Sequence, residues 1–159
     1  MGFANAKIET MRFLAVLGLL TTGVSYLPGA PSEEPPVATI TDSGSTNRAG
    51  FVIVVNQEGT AELTSKSRNL GVKEAPPASI RRVLPHALVE AFYSDLKAAK
   101  PLASLPAVHC AKSVSFGSSM SVAFGQDQTP DLSCGDGGNA VMRDLIRDTR
   151  QIIALVRAN

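Results

Sequence analysis

"FVIVVNQEGTAELTSK", Phe51–Lys66, is the stretch on which the architecture turns. Phe51-Val52-Ile53-Val54-Val55 is a continuous, largely β-branched apolar run, which suits a strand covered at least in part on both faces. Asn56-Gln57-Glu58-Gly59 reverses the chain, with Gly59 supplying the positive φ of a bulged hairpin loop. Thr60 to Lys66 then alternates, with Ala61 and Leu63 on one side and Thr60, Glu62 and Thr64 on the other. That is the pattern of a partner strand with one face in water. A hairpin of this kind cannot bury its apolar side alone, so the rest of the chain has to supply a covering layer.

Toward the C-terminus, Ser67 to Pro77 reads as a Gly- and Pro-containing loop, followed by a short strand at Ser79 to Leu84. Pro85 suits the first turn of a helix, where its missing N–H costs nothing. From there to Lys100, Leu88, Ala91, Phe92, Leu96 and Ala99 recur at helical spacing, and Pro101 stops the pattern. The last helix is expected over Gly138 to Arg157. Val141, Leu145, Ile152 and Val156, flanked by Met142, Ile146 and Ile153, form its apolar stripe; Arg143, Asp144, Arg147, Asp148 and Arg150 form its wet face. Asp136 or Asn139 is placed to cap it.

The N-terminus has a different character. Lys7 and Arg12 precede the apolar run Phe13 to Leu20, after which small and turn-forming residues appear, the order of a secretory signal peptide. The run breaks at Thr21-Thr22-Gly23, short of the roughly 20 apolar residues of a membrane span. Residues 1–27 are therefore read as a signal peptide, with an uncleaved N-terminal anchor as the alternative, and Met11 as a more natural start than Met1. Residues 28–36, with four prolines at Pro28, Pro31, Pro35 and Pro36, form a linker. Residues 37–159 are left for a single small α+β domain, secreted or periplasmic, with no membrane span in its mature form.

Export decides how the cysteines are read. Cys110 and Cys134 are the only two, and an isolated pair in an oxidising compartment is usually bridged. Closing a loop of about 25 residues contributes about 3 kcal/mol in the chain-entropy model. Between them Val114, Phe116, Met120, Val122 and Phe124 fall on alternate positions, with Ser113, Ser115, Ser119 and Ser121 opposite. This predicts a hairpin turning at Phe116 to Ser119, whose serines form an exposed sheet face. The whole then makes an antiparallel sheet of about four to five strands with two helices packed on one face, a two-layer sandwich.

Composition excludes some functions. A net charge of +1 and no basic block longer than Arg81-Arg82 give no electrostatic footprint for nucleic acid. Three patterns point toward chemistry. Asp42-Ser43-Gly44-Ser45, after the strand-like Val37 to Thr41, matches the loop in which an aspartic protease's Asp shares a proton with its twin. The chain has no second such loop, so a dimer would have to supply the other Asp; the competing reading is an ordinary turn. Ser94-Asp95-Leu96-Lys97 has the Ser-x-x-Lys spacing of penicillin-binding enzymes without their other segments. His86, His109, Cys110 and Cys134 lack metal-ligand spacing, and Asp127, Asp131 and Asp136 lack the order of a calcium loop, so no metal or other cofactor is expected.

From Ile40 onward the chain resembles a group of small, exported, uncharacterised bacterial proteins. The likeness rests on Thr41 to Asn47 before an apolar strand, Asn56-Gln57-Glu58-Gly59, Ala91 to Leu96, Leu105-Pro106, Cys110, Lys112 to Gly117 and Pro130 to Cys134. It implies export and the disulfide, and no activity. The sequence thus leads to a non-enzymatic exported module that binds a protein or cell-envelope component through its sheet face or a strand edge. The alternatives are a hydrolase using Asp42 in a dimer and a small-ligand binder between sheet and helices.

Overall fold

The computed structural model describes residues 35–66, 79–113, 115–135 and 139–158. The signal segment, most of the linker, nearly all of the loop before Ser79, Val114 and Asp136 lie outside them.

Alternation of buried and exposed residues builds a six-stranded antiparallel sheet among the described residues. Its strands are β1 (Ala38–Ser45), β2 (Arg48–Val55), β3 (Thr60–Ser65), β4 (Ser79–Val83), β5 (Met120–Phe124) and β6 (Asp127–Gln128), in the order β4-β3-β2-β1-β5-β6. Directly opposed residues in an antiparallel pair share a face. One row across the sheet is Ile80, Leu63, Ile53, Ile40 and Val122; the next ends in Phe51, Asp42 and Met120. Both rows face the helices α1 (His86–Ala98) and α2 (Ala140–Arg157).

The helices lie on the same side because each meets an inward-facing aromatic. Tyr93 of α1 packs edge-on to Phe124, 5.6 Å between centroids, and the Arg157 guanidinium of α2 sits 5.3 Å over Phe51. The Tyr93 hydroxyl donates to the Val55 carbonyl at 2.7 Å and accepts from the Ala38 N–H at 3.2 Å. Phe92, Leu96, Leu145, Ile152, Ile40 and Ile53 fill the space between the layers and are fully buried. Asn139 caps α2 as expected, its Oδ1 accepting from the Met142 N–H at 2.8 Å.

Four local expectations change. The sheet has six strands rather than four to five, because Ala38–Ser45 forms a full strand, with the reversal confined to Thr46-Asn47, and Asp127–Gln128 adds a short one at the far edge. Gly44, paired with Ala49 inside the hairpin, has φ 71, and a Cβ there would meet the Gly50 N at 2.3 Å, so the two strands close at this point only around a glycine. The Phe51 to Val55 run is covered on one face only, with Val54 39% exposed, since both helices occupy the other side.

The serine-rich hairpin does not form as expected. Only Met120–Phe124 is a strand, its turn is Gly125-Gln126, and its partner is the two-residue β6. Phe116 is 74% exposed rather than inward, because residues 115–119 fold over the β1–β2 hairpin. There the Asn47 N–H donates to the Ser115 carbonyl at 3.2 Å and the Ser43 N–H to the Ser119 carbonyl at 2.9 Å. Asp148, expected on the wet face of α2, is buried at 2% exposure.

Replacing Tyr93 by Phe keeps the ring packing and strands a buried carbonyl and N–H. The expected loss is about 1–3 kcal/mol, read from urea denaturation; an unchanged midpoint would show that the hydroxyl contributes nothing.

Candidate functional site

Asp42 points inward at the end of β1, between Phe51 of β2 and Met120 of β5, and is 6% exposed. A carboxylate there needs donors, and the hairpin supplies them. Its Oδ1 accepts from the Gly44 N–H at 2.7 Å, an Asp side chain capping its own backbone two residues on. The Arg48 Nη2 reaches Oδ1 at 3.0 Å and Oδ2 at 2.8 Å, and donates to the Ser118 Oγ at 2.8 Å. The reversal at Thr46-Asn47 is what brings Arg48 back along Asp42.

A second ion pair lies beside the first. Lys112 donates to Asp131 Oδ2, to the Ser133 Oγ at 2.6 Å and to the Ser118 carbonyl at 2.8 Å. Asp131 Oδ1 accepts from the N–H groups of Met120 at 3.0 Å and Ser133 at 2.9 Å. Burial raises the Asp131 carboxyl, but the hydrogen bonds from Lys112, Ser133 and the two backbone N–H groups outweigh it, and the net displacement is well below the usual carboxylate range. Ser118 therefore links both pairs, through its hydroxyl to Arg48 and through its carbonyl to Lys112 and Ser133. The Cys110–Cys134 disulfide, Cα–Cα 5.4 Å, closes the same segment two residues before Lys112 and one after Ser133.

This arrangement holds a loop in place, and among the described residues the acids and bases at its centre are paired with one another. Proteolysis of the aspartic type needs Asp42 turned toward a twin carboxyl and a water. Asp42 is not exposed in a turn, and within the chain both its oxygens face Arg48. Lys112, Ser118 and Ser133 line, with Phe116 and the Cys110 end of the loop, an open depression of about 360 Å³. A second, of about 340 Å³, has Ser94 and Lys97 on its rim beside Gln57, Glu90 and Tyr93. Both lie at the surface, outside the packed layer between sheet and helices.

The remaining candidates are dispersed. His86 is paired with Glu90, 3.2 Å apart, and His109 is exposed far along the chain from it. Both cysteines are in the disulfide, and among the described residues no group of three His, Cys, Asp or Glu could hold a metal ion. Asp127 accepts from the N–H groups of Leu102 at 2.5 Å, Ala103 at 3.0 Å and Gln128 at 3.0 Å, which holds its carboxyl below the ordinary value; Asp131 is engaged with Lys112. Of the serines, Ser121 is on β5, its Oγ accepting from Gln128 at 3.0 Å; Ser113, Ser115 and Ser119 are in the loop before it.

Asp148, expected on the wet face of α2, meets Asp95 of α1 between the two helices. Burial, then the charges of Asp148 and Asp144, push the Asp95 carboxyl up against the opposing pull of Arg147. Arg147 Nε donates to Asp148 Oδ1 at 2.8 Å, while Asp148 Oδ2 and Asp95 Oδ2 are buried with no hydrogen-bond partner among the described residues. Sequence reading also missed Arg48, Lys112 and Ser118. Only Arg48 left a trace, as a basic residue just beyond the turn residues Thr46-Asn47 that follow an acidic one.

No family model matches the chain, and no curated protein matches it in sequence.

Two sets of measurements follow. Arg48→Met should cost about 2 kcal/mol, below the range for a fully buried pair because the guanidinium is 41% exposed. Combined with Asp42→Asn in a double-mutant cycle, it should show coupling of about 1 kcal/mol; zero coupling would contradict the pairing. The pH profiles of two other carboxylates should have opposite signs. Native Asp131 stays ionised where the unfolded chain takes up a proton, so its contribution is present above about pH 4 and lost below it. Native Asp95 holds a proton to higher pH than the unfolded chain, so its contribution is present below about pH 4 and lost as pH rises through the raised native value. Asp131→Asn should flatten the acid loss of stability, and Asp95→Asn should gain on the parent toward neutral pH. Urea midpoints across the acid range would check both; pH-independent offsets would contradict them.

Proposed function

We propose that the chain is an exported, non-enzymatic domain whose uncovered sheet face binds a protein or cell-envelope component. The observation that carries this reading is the side of the sheet opposite the helices. By register one row there is Arg81, Glu62, Val54, Thr39, Ala123 and Gln128, and the next is Ser79, Thr64, Val52, Thr41 and Ser121. The first row sets Val54 between Glu62 and Thr39, the second sets Val52 between Thr64 and Thr41, and neither carries an aromatic ring on which a sugar could stack. Such a mixture suits a protein partner, which offers backbone groups for the hydroxyls and apolar surface for the valines. Export is supported by the charged-then-apolar order of the N-terminus and by the disulfide, which persists in oxidising compartments. The chain's resemblance to small exported bacterial proteins points the same way.

The test is retention. The oxidised protein is immobilised and challenged with envelope and culture-supernatant fractions of the source cell, beside Val54→Lys, which places a charge at the centre of the face without entering the core. A component retained by the parent and reduced at least tenfold by Val54→Lys supports the reading. Retention indifferent to Val54→Lys removes the sheet face from it, and acid-pH cleavage of unfolded substrate abolished by Asp42→Ala would replace it with the hydrolase.

A further inference from the structure

β4 ends the sheet. Among the described residues it is hydrogen-bonded to β3 on one side only, so alternate backbone N–H and C=O groups along its outer edge point away from the sheet. All of its residues, Ser79-Ile80-Arg81-Arg82-Val83, are exposed, and Val83 is 84% exposed. Its side chains divide between the two faces. Arg81 and Val83 stand on the uncovered face, opposite Glu62 and Thr60 of β3; Ile80 and Arg82 stand on the helix side, opposite Leu63 and Ala61. Among the described residues no carboxylate pairs with either arginine: Arg82 donates to the carbonyls of Arg81 and Ala158, and Glu62 accepts from the Ser79 hydroxyl at 2.6 Å.

We infer that β4 is an acceptor edge for an acidic, extended segment of a protein partner, which adds to the sheet as a further strand. This rests on the binding-module reading and names its partner class. Main-chain groups of the edge supply affinity, and alternate side chains supply selectivity. Run antiparallel to β4, the added strand sets an apolar residue against Val83, acidic residues against Arg82 and Arg81, an apolar residue against Ile80 and a hydroxyl against Ser79. β3 satisfies much of this pattern from the inner side, with Glu62 opposite Arg81 and Leu63 opposite Ile80. A second copy of the chain is the wrong occupant, because pairing two β4 edges brings Arg81-Arg82 against itself, and directly opposed like charges destabilise a sheet. Arginines on an edge also deter self-pairing, but a purely protective edge has no need of Val83 held out in water beside them.

The probe is the peptide acetyl-Thr-Val-Glu-Glu-Leu-Thr-Ser-amide, titrated into the isotope-labelled oxidised protein, with the same peptide carrying Lys-Lys in place of Glu-Glu as control. Expected are shifts of the Ser79 to Val83 amides with the acidic peptide and at least tenfold weaker binding of the basic one. The double variant Arg81→Glu/Arg82→Glu, on exposed positions, should invert that preference. Absence of shifts at β4 up to about 1 mM peptide, equal binding of the two peptides, or a variant that gains self-association without changing peptide preference would each overturn the inference. Retention of the natural partner separates the two readings. If the double variant retains it and Val54→Lys does not, the edge falls and the face stands; if both variants retain it, both fall.

Discussion

A charge buried at the end of a sheet is the constraint around which one half of this molecule is arranged. Asp42 lies on the core side of β1, where an uncompensated carboxylate would cost several kcal/mol. The compensation comes from three places: the N–H of Gly44, freed by its left-handed conformation, the guanidinium of Arg48 across the reversal, and Ser118 on the loop that closes over both. Ser118 is held in turn by Lys112 and Ser133, and those by Asp131 and the disulfide. A local electrostatic requirement is thus met by residues from β1, β2 and a segment 76 residues away.

The parts of the fold legible in the sequence were those set by periodicity. Ala61 and Leu63, the Leu88, Phe92 and Leu96 stripe, and the Met142, Leu145, Ile152 and Val156 stripe all mark sides that the structure buries. Alternation misled between Val114 and Phe124 because serine and apolar residues alternate there for two reasons. Met120, Val122 and Phe124 alternate as a strand, whereas Phe116 takes its place in the count by chance and stands outside the core. Asp42-Ser43-Gly44-Ser45 was misleading in the other direction. Turn-forming residues sit inside a strand here because Gly44 and Gly50 let two backbones approach where a Cβ on either would meet main-chain atoms. The ion pairs were not legible, since pairing of Lys112 with Asp131 depends on the path of a loop and leaves no spacing rule behind.

The burial of Asp148 follows the same logic. A helical wheel assigns it to the wet side, yet α1 lies close enough to cover it, and Asp95 arrives there from α1. Helix periodicity fixes the direction in which a side chain leaves its axis and does not fix which neighbour stands in that direction. The same limit applies to the sheet. The run from Phe51 to Val55 is apolar on both sides, but only one side has helices to meet it, and Val54 is left in water.

The strand order has a consequence for the chain during synthesis. β1 through β4 form a meander, each strand beside its predecessor, whereas the far flank of β1 is covered by β5, which follows only after α1. In a chain made from its N-terminus, β1 is therefore an edge strand until Met120 to Phe124 emerge, and a nascent edge rich in Thr and Ile invites pairing with another chain. An inward-pointing charge is one of the devices by which sheets discourage such pairing. Asp42, with Met120 for its eventual neighbour, is an inward charge of that kind on the strand that waits longest for its second partner.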